Sequence, residues 1–460
     1  MTTRRAGLSP GPSGGPPRRA GQGNARDVAY EVLRRVRRDG AYATLALSSA
    51  VEPMPPVDRH LATELVYGVL RHQRRLDHAL ARHARLGLER VDPEVLDLLR
   101  IAAYQMLLLD RVPDYAAVDH AVGAVRRLRG ARVAGFANAV LRKLTSADLD
   151  RDLPSDAVQR LALRYSLPDT LAGYFWRQLG QQEAEKLAAV MLDRAPLNLR
   201  ANQLRATTGQ VAERLQSEGV KLQPGRWLES ALRVESADLF RLASHGEGLW
   251  SVQDEAAQLV GLALGPEPGQ TVLDACAGVG GKAMHIATLI GDRGRVVCGD
   301  LNPRKLALLT AEAHRLGVTC CEPLVGDLRR IALPRADRVL VDAPCTGLGV
   351  LRRHPEIKWR EDSGLQALDR LVQLQRELLE AVLAALKPGG VLVYSVCTVT
   401  DEEGPRQVER LLERHPELAL DPFPPTVPEL DHNTRGAPLR LWPQRHDLDG
   451  FFIARVRRMQ

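Results

Sequence analysis

Lysine is scarce in this 460-residue chain. Seven of its 63 basic residues are lysine, so 56 arginines face 56 acids and the net charge is +7. Aromatics are few at 4%, and only six cysteines occur, all after residue 275. No CxxC or histidine-paired spacing appears among them, which argues against a zinc site. A chain this long buries its own core without disulfide staples, so the cysteines read as thiols of a reducing compartment. Long apolar runs are missing too. The longest stretch without a charged residue is residues 388–400, short of the roughly 20 residues that a membrane-crossing helix needs. No apolar signal-peptide core follows the amino terminus. The expectation is a cytoplasmic, metal-free monomer with no membrane contact, built from two to four domains. The arginine excess suits phosphate and base contact, though an arginine-favouring codon bias accounts for it equally.

Residues 1–24 hold twelve Gly, Pro or Ser and no acid, too little apolar surface to offset the entropy of ordering; a disordered basic tail is expected. Over residues 25–150 the pattern is helical. Ala25, Val28, Ala29, Val32, Leu33 and Val36 keep the spacing of an amphipathic helix, and Leu61, Leu65, Val69 and Leu76 continue it in a longer one. Asp92-Pro93 is an N-cap and first-turn pair opening the next, and helical stretches 116–128 and 133–144 follow Pro113. An all-α bundle is expected. Residues 151–250 mix helix with short apolar runs and turns, and read as a linker with a small α/β subdomain.

From residue 251 to 460 strands alternate with helices, the mark of a parallel sheet covered on both faces. Short apolar strands end in Asp274, Asp300 and Asp342, and a fourth ends close to Cys397. Ligands of such sheets bind beyond the carboxyl ends of the strands, so these four residues stand where chemistry is expected. Asp274-Ala-Cys276-Ala277-Gly278-Val279-Gly280-Gly281-Lys282 is a glycine-rich strand-to-helix turn. Its backbone amides can approach a ligand, with a helix amino terminus behind them. Asp300, 22 residues past Gly278, is placed to accept ribose hydroxyls.

Pro344 holds the Asp342-to-Cys345 segment in a stiff extended loop. Thr400 and Glu403 have capping-box spacing, which predicts a helix over 402–414 and sets Cys397 near its positive end, where a thiol's pKa falls. Buried core is the usual fate of a single cysteine; two at strand ends of one sheet point to function. Cys298, Cys320 and Cys321 read as structural. Arg352, Arg353, Lys358, Trp359 and Arg360 surround one indole with four cations beside this site, a composition suited to phosphate contact and base stacking in RNA.

These clusters resemble the Sun/Fmu (RsmB-type) family of RNA cytosine-5 methyltransferases. The family's DACAAPGGKT loop is similar to Asp274–Ala283, its DAPCSG to Asp342–Gly347, its YSTCS to Tyr394–Thr398 and its RRHPDIKW run to Arg352–Trp359. Gly135–Arg142 resembles the NusB-type RNA-binding domain fused to bacterial members. The resemblance implies a NusB-like bundle joined to a Rossmann-like class I methyltransferase domain. It implies S-adenosylmethionine held by residues 276–282, Asp300, Asp327 and Asp342, and a small-subunit ribosomal RNA substrate whose base is flipped into the pocket. It makes Cys397 the nucleophile at carbon 6 of cytosine. Cys345 would assist product release, Asp342 would hold or protonate the ring near N3, and Lys282 would lie close by.

Three departures stand out. Gly278-Val279 replaces Ala-Pro, and Ala283 and Val396 each replace a threonine; none removes a group that performs bond chemistry. The alternatives are a non-catalytic RNA-binding or assembly factor, and a cytosine-5 methyltransferase acting on tRNA or DNA.

Overall fold

The structure, a computed structural model, describes residues 24–85, 87–110, 112–236, 238–360, 364–430, 436 and 438–460. The tail expected over residues 1–24 lies, apart from Asn24, outside them. Asn24 caps the first helix, Ala25–Asp39, by accepting from the Arg26 amide. Helices Ala43–Val51, Pro56–Ala81, Pro93–Leu108 and Asp114–Leu141 complete a bundle around one core. Asp92 caps the helix it was expected to open. The two stretches expected after Pro113 form one element that leaves helical geometry at Gly130. Helix Ala43–Val51 is the one that the periodicity did not single out.

Two more helices, Ala157–Arg164 and Asp169–Val190, bury Leu161, Leu171 and Phe175 against Leu348, Leu351, Ile357, Val399 and Trp442. They therefore join the bundle side to the carboxyl-terminal half. The small subdomain follows as a four-stranded antiparallel sheet. Its strands are β1 (Leu197–Ala201), β2 (Lys221–Pro224), β3 (Ala231–Ser236) and β4 (Trp250–Val252), in the order β2-β3-β1-β4. Helix Thr208–Ser217, opened by a Thr207–Gln210 capping box, packs on it through Val211 and Leu215.

The large sheet comprises β5 (Thr271–Asp274), β6 (Arg295–Asp300), β7 (Cys321–Val325), β8 (Ala336–Asp342), β9 (Leu386–Val396), β10 (Leu418–Leu420), β11 (Leu439–Leu441) and β12 (Phe451–Arg458). Its order is β10-β12-β9-β8-β5-β6-β7, with β11 paired to β12. Strands β5 to β9 run parallel, as expected, whereas β12 enters antiparallel between β9 and β10. Alternate residues serve opposite faces. Val272, Val296, Leu340 and Val393 meet helices Glu255–Leu264, Gly281–Leu289 and Pro303–Leu316. Leu273, Val297, Val341 and Leu392 meet helices Leu368–Leu383 and Pro405–Arg414. This doubly wound arrangement is the Rossmann-like expectation realised. The strand order reverses between β5 and β8, and a crevice opens there.

Candidate active site

A cavity of about 950 Å³ occupies that crevice. Cys276, Ala277, Gly278, Val279, Gly281, Lys282, Asp300, Asp327, Asp342, Cys345 and Cys397 all line it, so residues up to 121 positions apart meet in one hollow. Gly280 has φ +94°, and a Cβ there would fall 2.7 Å from Leu309 Cγ, so only glycine fits. Gly278 has φ +57° and nothing within 4 Å of a built Cβ; glycine in place of the family's alanine suits this left-handed turn.

The Gly278 and Asn302 amides donate to Asp300 Oδ2 (3.1 Å) and Oδ1 (2.7 Å), which orients the carboxylate. Val279 and Leu301, 54% and 70% exposed, put apolar side chains on the cavity wall. The Arg329 guanidinium, 2.7 Å away, holds the Asp327 carboxyl down at about 2.

Deeper in, Asp342 Oδ2 accepts from Lys282 Nζ and Oδ1 from Ser395 Oγ, both at 2.7 Å. Burial pushes the Lys282 ammonium down, but Asp342 beside it outweighs this and raises it. Asp274 is buried, and one of its oxygens has no partner. Burial, reinforced by the Asp342 charge, pushes its carboxyl up to about 7. A cation with hydrogens to donate is what this oxygen lacks. A glycine turn that lets a ligand approach closely, a strand-end carboxylate, two exposed apolar side chains and this unpartnered acid together fit a cationic nucleoside ligand.

Cys345 Sγ and Cys397 Sγ lie 3.3 Å apart on the cavity wall. The hydrogen bond to Cys397, then burial, push the Cys345 thiol well up.

The expected capping box is not formed. The helix begins at Pro405 with Gly404 as its cap, which removes the dipole argument for Cys397. Glu403 turns inward instead and is fully buried. It accepts from the Thr346 amide (2.8 Å), Thr346 Oγ1 (2.5 Å), Thr400 Oγ1 (2.8 Å) and Gln375 Nε2 (3.0 Å). Thr346 Oγ1 also meets Thr398 Oγ1 at 2.7 Å. One carboxylate thus ties the Cys345 loop to the Cys397 loop. Local spacing hid this, because its partners lie 28 and 57 residues away.

The arginine-rich run is a second correction. Lys358 Nζ is buried and donates to the Arg71 and Ser166 carbonyls, both at 2.9 Å. Trp359 Nε1 donates to the Leu70 carbonyl (2.9 Å), and Arg360 Nη1 to the Gly40 carbonyl (2.5 Å). Arg352 is buried against Asp447 and the Arg194 carbonyl. Arg353 lines the cavity but is held by Asp254 (2.6 Å) and Asp449 (2.7 Å). A buried donor must find an acceptor: the helical regions supply those of Lys358, Trp359 and Arg360, and Asp447, Asp254 and Asp449 supply those of Arg352 and Arg353. Lys358, Trp359 and Arg360 fasten the bundle side to the sheet domain, while Arg353 stays on the cavity wall.

Of the departures from the family pattern, Val279 faces the cavity, whereas Ala283 and Val396 are fully buried core residues. The residue reading missed Asp274's unpartnered oxygen, Leu301 and Glu403. Only Asp274 had a signal of its own, as the first residue of the glycine-rich motif.

Residues 261–457 match the 16S rRNA methyltransferase RsmB/F family, residues 23–146 the NusB family, and residues 167–239 the RsmF/B-like ferredoxin-like domain. The chain is 37% identical over 440 residues to the ribosomal RNA small subunit methyltransferase B of Thermus thermophilus, covering 95% of this chain and 98% of that one. It is 34% identical over 443 residues to the protein of the same name from Vibrio cholerae, covering 94% and 96%. The crystal structure of PH0851 superposes with a TM-score of 0.80 at 26% identity, over 95% of this chain and 99% of that one. With full-length relatives, matching segments along the chain and one fold throughout, this chain belongs to the RsmB/F family of 16S rRNA methyltransferases.

Proposed function

We propose that the protein transfers a methyl group from S-adenosylmethionine to carbon 5 of a cytosine in small-subunit ribosomal RNA, through a covalent bond from Cys397 to carbon 6. The observation that carries the reading is the Cys345–Cys397 thiol pair, at 3.3 Å, lining one cavity with the Lys282–Asp342 pair and the glycine turn. Bound adenosylmethionine supplies an electrophilic methyl group on a sulfonium centre. Asp300 would accept from its ribose hydroxyls and Asp274 from its amino group, while Val279 and Leu301 cover its base.

Cys397, its proton first released to solvent, adds as the thiolate to carbon 6 of the flipped cytosine, and electron density moves through the ring towards N3. The Lys282 ammonium, held by Asp342, meets that charge and provides the proton N3 takes. This differs from direct protonation by Asp342, whose two oxygens already accept hydrogen bonds. Carbon 5, made electron-rich, takes the methyl group. N3 returns its proton to Lys282, solvent water takes the carbon 5 proton, and the electrons of that C–H bond form the carbon 5–carbon 6 double bond, expelling Cys397 as the thiolate and restoring the ring. The Cys345 S–H, 3.3 Å from Cys397 Sγ, stabilises the departing sulfur. The reading is tested by incubating the full chain with unmethylated 16S rRNA and methyl-labelled adenosylmethionine and digesting the RNA to nucleosides. Label in 5-methylcytidine is expected; label in another nucleoside, or none, overturns it.

Asp274 gives this cofactor reading a pH signature. A carboxyl with a pKa near 7 is partly protonated in the free protein, and a cationic ligand favours its ionised form. Binding therefore releases a proton near neutrality. The affinity should fall as pH drops below about 7, approaching tenfold per unit well below it. Calorimetry in two buffers of different ionisation heat measures the release, which Asp274→Asn should abolish.

A further inference from the structure

Among the described residues, the bundle contributes one to the cavity, Tyr42. It is the N-cap of helix Ala43–Val51 and makes no side-chain capping bond. The first amide of that helix, Ala43 N, donates instead to Oε1 of the fully buried Glu356 (3.1 Å), which belongs to the run that fastens the two regions together. The Arg360 guanidinium carbon lies 4.6 Å from the Tyr42 ring centroid, and His354 meets the ring edge-on at 6.0 Å and 82°. The phenol is thus held by the sheet domain although it comes from the bundle, yet it stays 42% exposed. An aromatic ring that served only to seal the contact between two regions would be covered.

We infer that Tyr42 is a stacking platform for a nucleobase next to the flipped cytosine, an inference that rests on the RNA reading above. A clamped ring loses little freedom when a base settles on it, and a cation behind the ring strengthens stacking on nucleic acid. Its neighbour His354 donates its amide to the Val350 carbonyl (2.9 Å), and the adjoining Gly349 amide donates to the Cys397 carbonyl (3.1 Å), so the platform belongs to the thiol side of the cavity. Asp300 and Leu301 stand in the other loop cluster, at the glycine turn. The bundle therefore supplies part of the substrate pocket as well as any remote hold on RNA.

The test uses the full chain, a 16S rRNA fragment that the wild type methylates, and anisotropy measured without cofactor. Tyr42→Ala and Tyr42→Leu should each weaken RNA binding about 5- to 150-fold, the range of one base stack. Tyr42→Phe should stay within about twofold of wild type. Adenosylmethionine affinity and the melting temperature should hold across the series. RNA binding unchanged in both ring-less variants, or weakened as much in Tyr42→Phe, overturns the inference. A fall in cofactor affinity also overturns it, by making Tyr42 part of the cofactor pocket. Failure of the wild type to bind or methylate RNA removes the functional reading itself, whereas the other outcomes remove only the role of Tyr42.

Discussion

Cys397→Ala is expected to slow methyl transfer by about 10⁴-fold or more and to leave no RNA bound covalently to the protein. Without a sulfur at this position no bond forms to carbon 6, and carbon 5 of a neutral cytosine is too poor a nucleophile to take the methyl group. Cys345→Ala is expected to do the opposite to the adduct. Attack and methylation proceed, but the departing sulfur lacks the S–H that lies 3.3 Å from it, so RNA accumulates on the protein and survives denaturing electrophoresis. Single-turnover rates and gel shifts of the two variants in parallel read both effects. An adduct in Cys397→Ala with none in Cys345→Ala would exchange the two roles.

The second large effect is expected at Glu403. Glu403→Ala leaves four donors without their acceptor in a region closed to water, at a cost of about 3–5 kcal/mol. Glu403→Gln keeps the shape but turns an amide towards donors that need an oxygen, so about 1–3 kcal/mol is lost. The kinetic effect distinguishes positioning from mere stability. Displacing a reacting group by about 1 Å costs on the order of 100-fold in rate, and Glu403 spans the two thiol loops. Glu403→Gln should therefore lower kcat by that order while KM for RNA changes little, at a temperature where the variant is fully folded. A wild-type kcat in a variant that only melts earlier would reduce Glu403 to a structural residue.

The strand ends are legible in the sequence because a buried parallel strand is a short apolar run, and the acids closing three such runs stand out. Asp274, Asp300 and Asp342 come together because β6, β5 and β8 are neighbours in the sheet. The same local reasoning misleads at Thr400–Glu403 and at Arg352–Arg360. A glutamate three residues after a threonine can cap a helix, but Glu403 has stronger claims on it from Thr346 and Gln375. Four cations around a tryptophan suit a solvated loop, but the Arg71, Ser166 and Leu70 carbonyls draw two of those side chains inward. Nothing local marks strand β12 as an antiparallel insertion, since no feature of Phe451–Arg458 names β9 and β10 as its neighbours.

By itself the chain determined where helices and strands form, which loops must be glycine-rich or stiffened by proline, and which thiols and acids stand at strand ends. Those outcomes follow from backbone freedom and hydrophobic period, which act within a few residues. Only the tertiary structure decided that Cys345 faces Cys397, that Glu403 binds both of their loops, that Lys358 is a fastening rather than a phosphate contact, and that Tyr42 reaches the cavity. Each depends on donors, acceptors and packing surfaces brought from distant parts of the chain, and a buried polar group takes whichever partner the fold puts within reach.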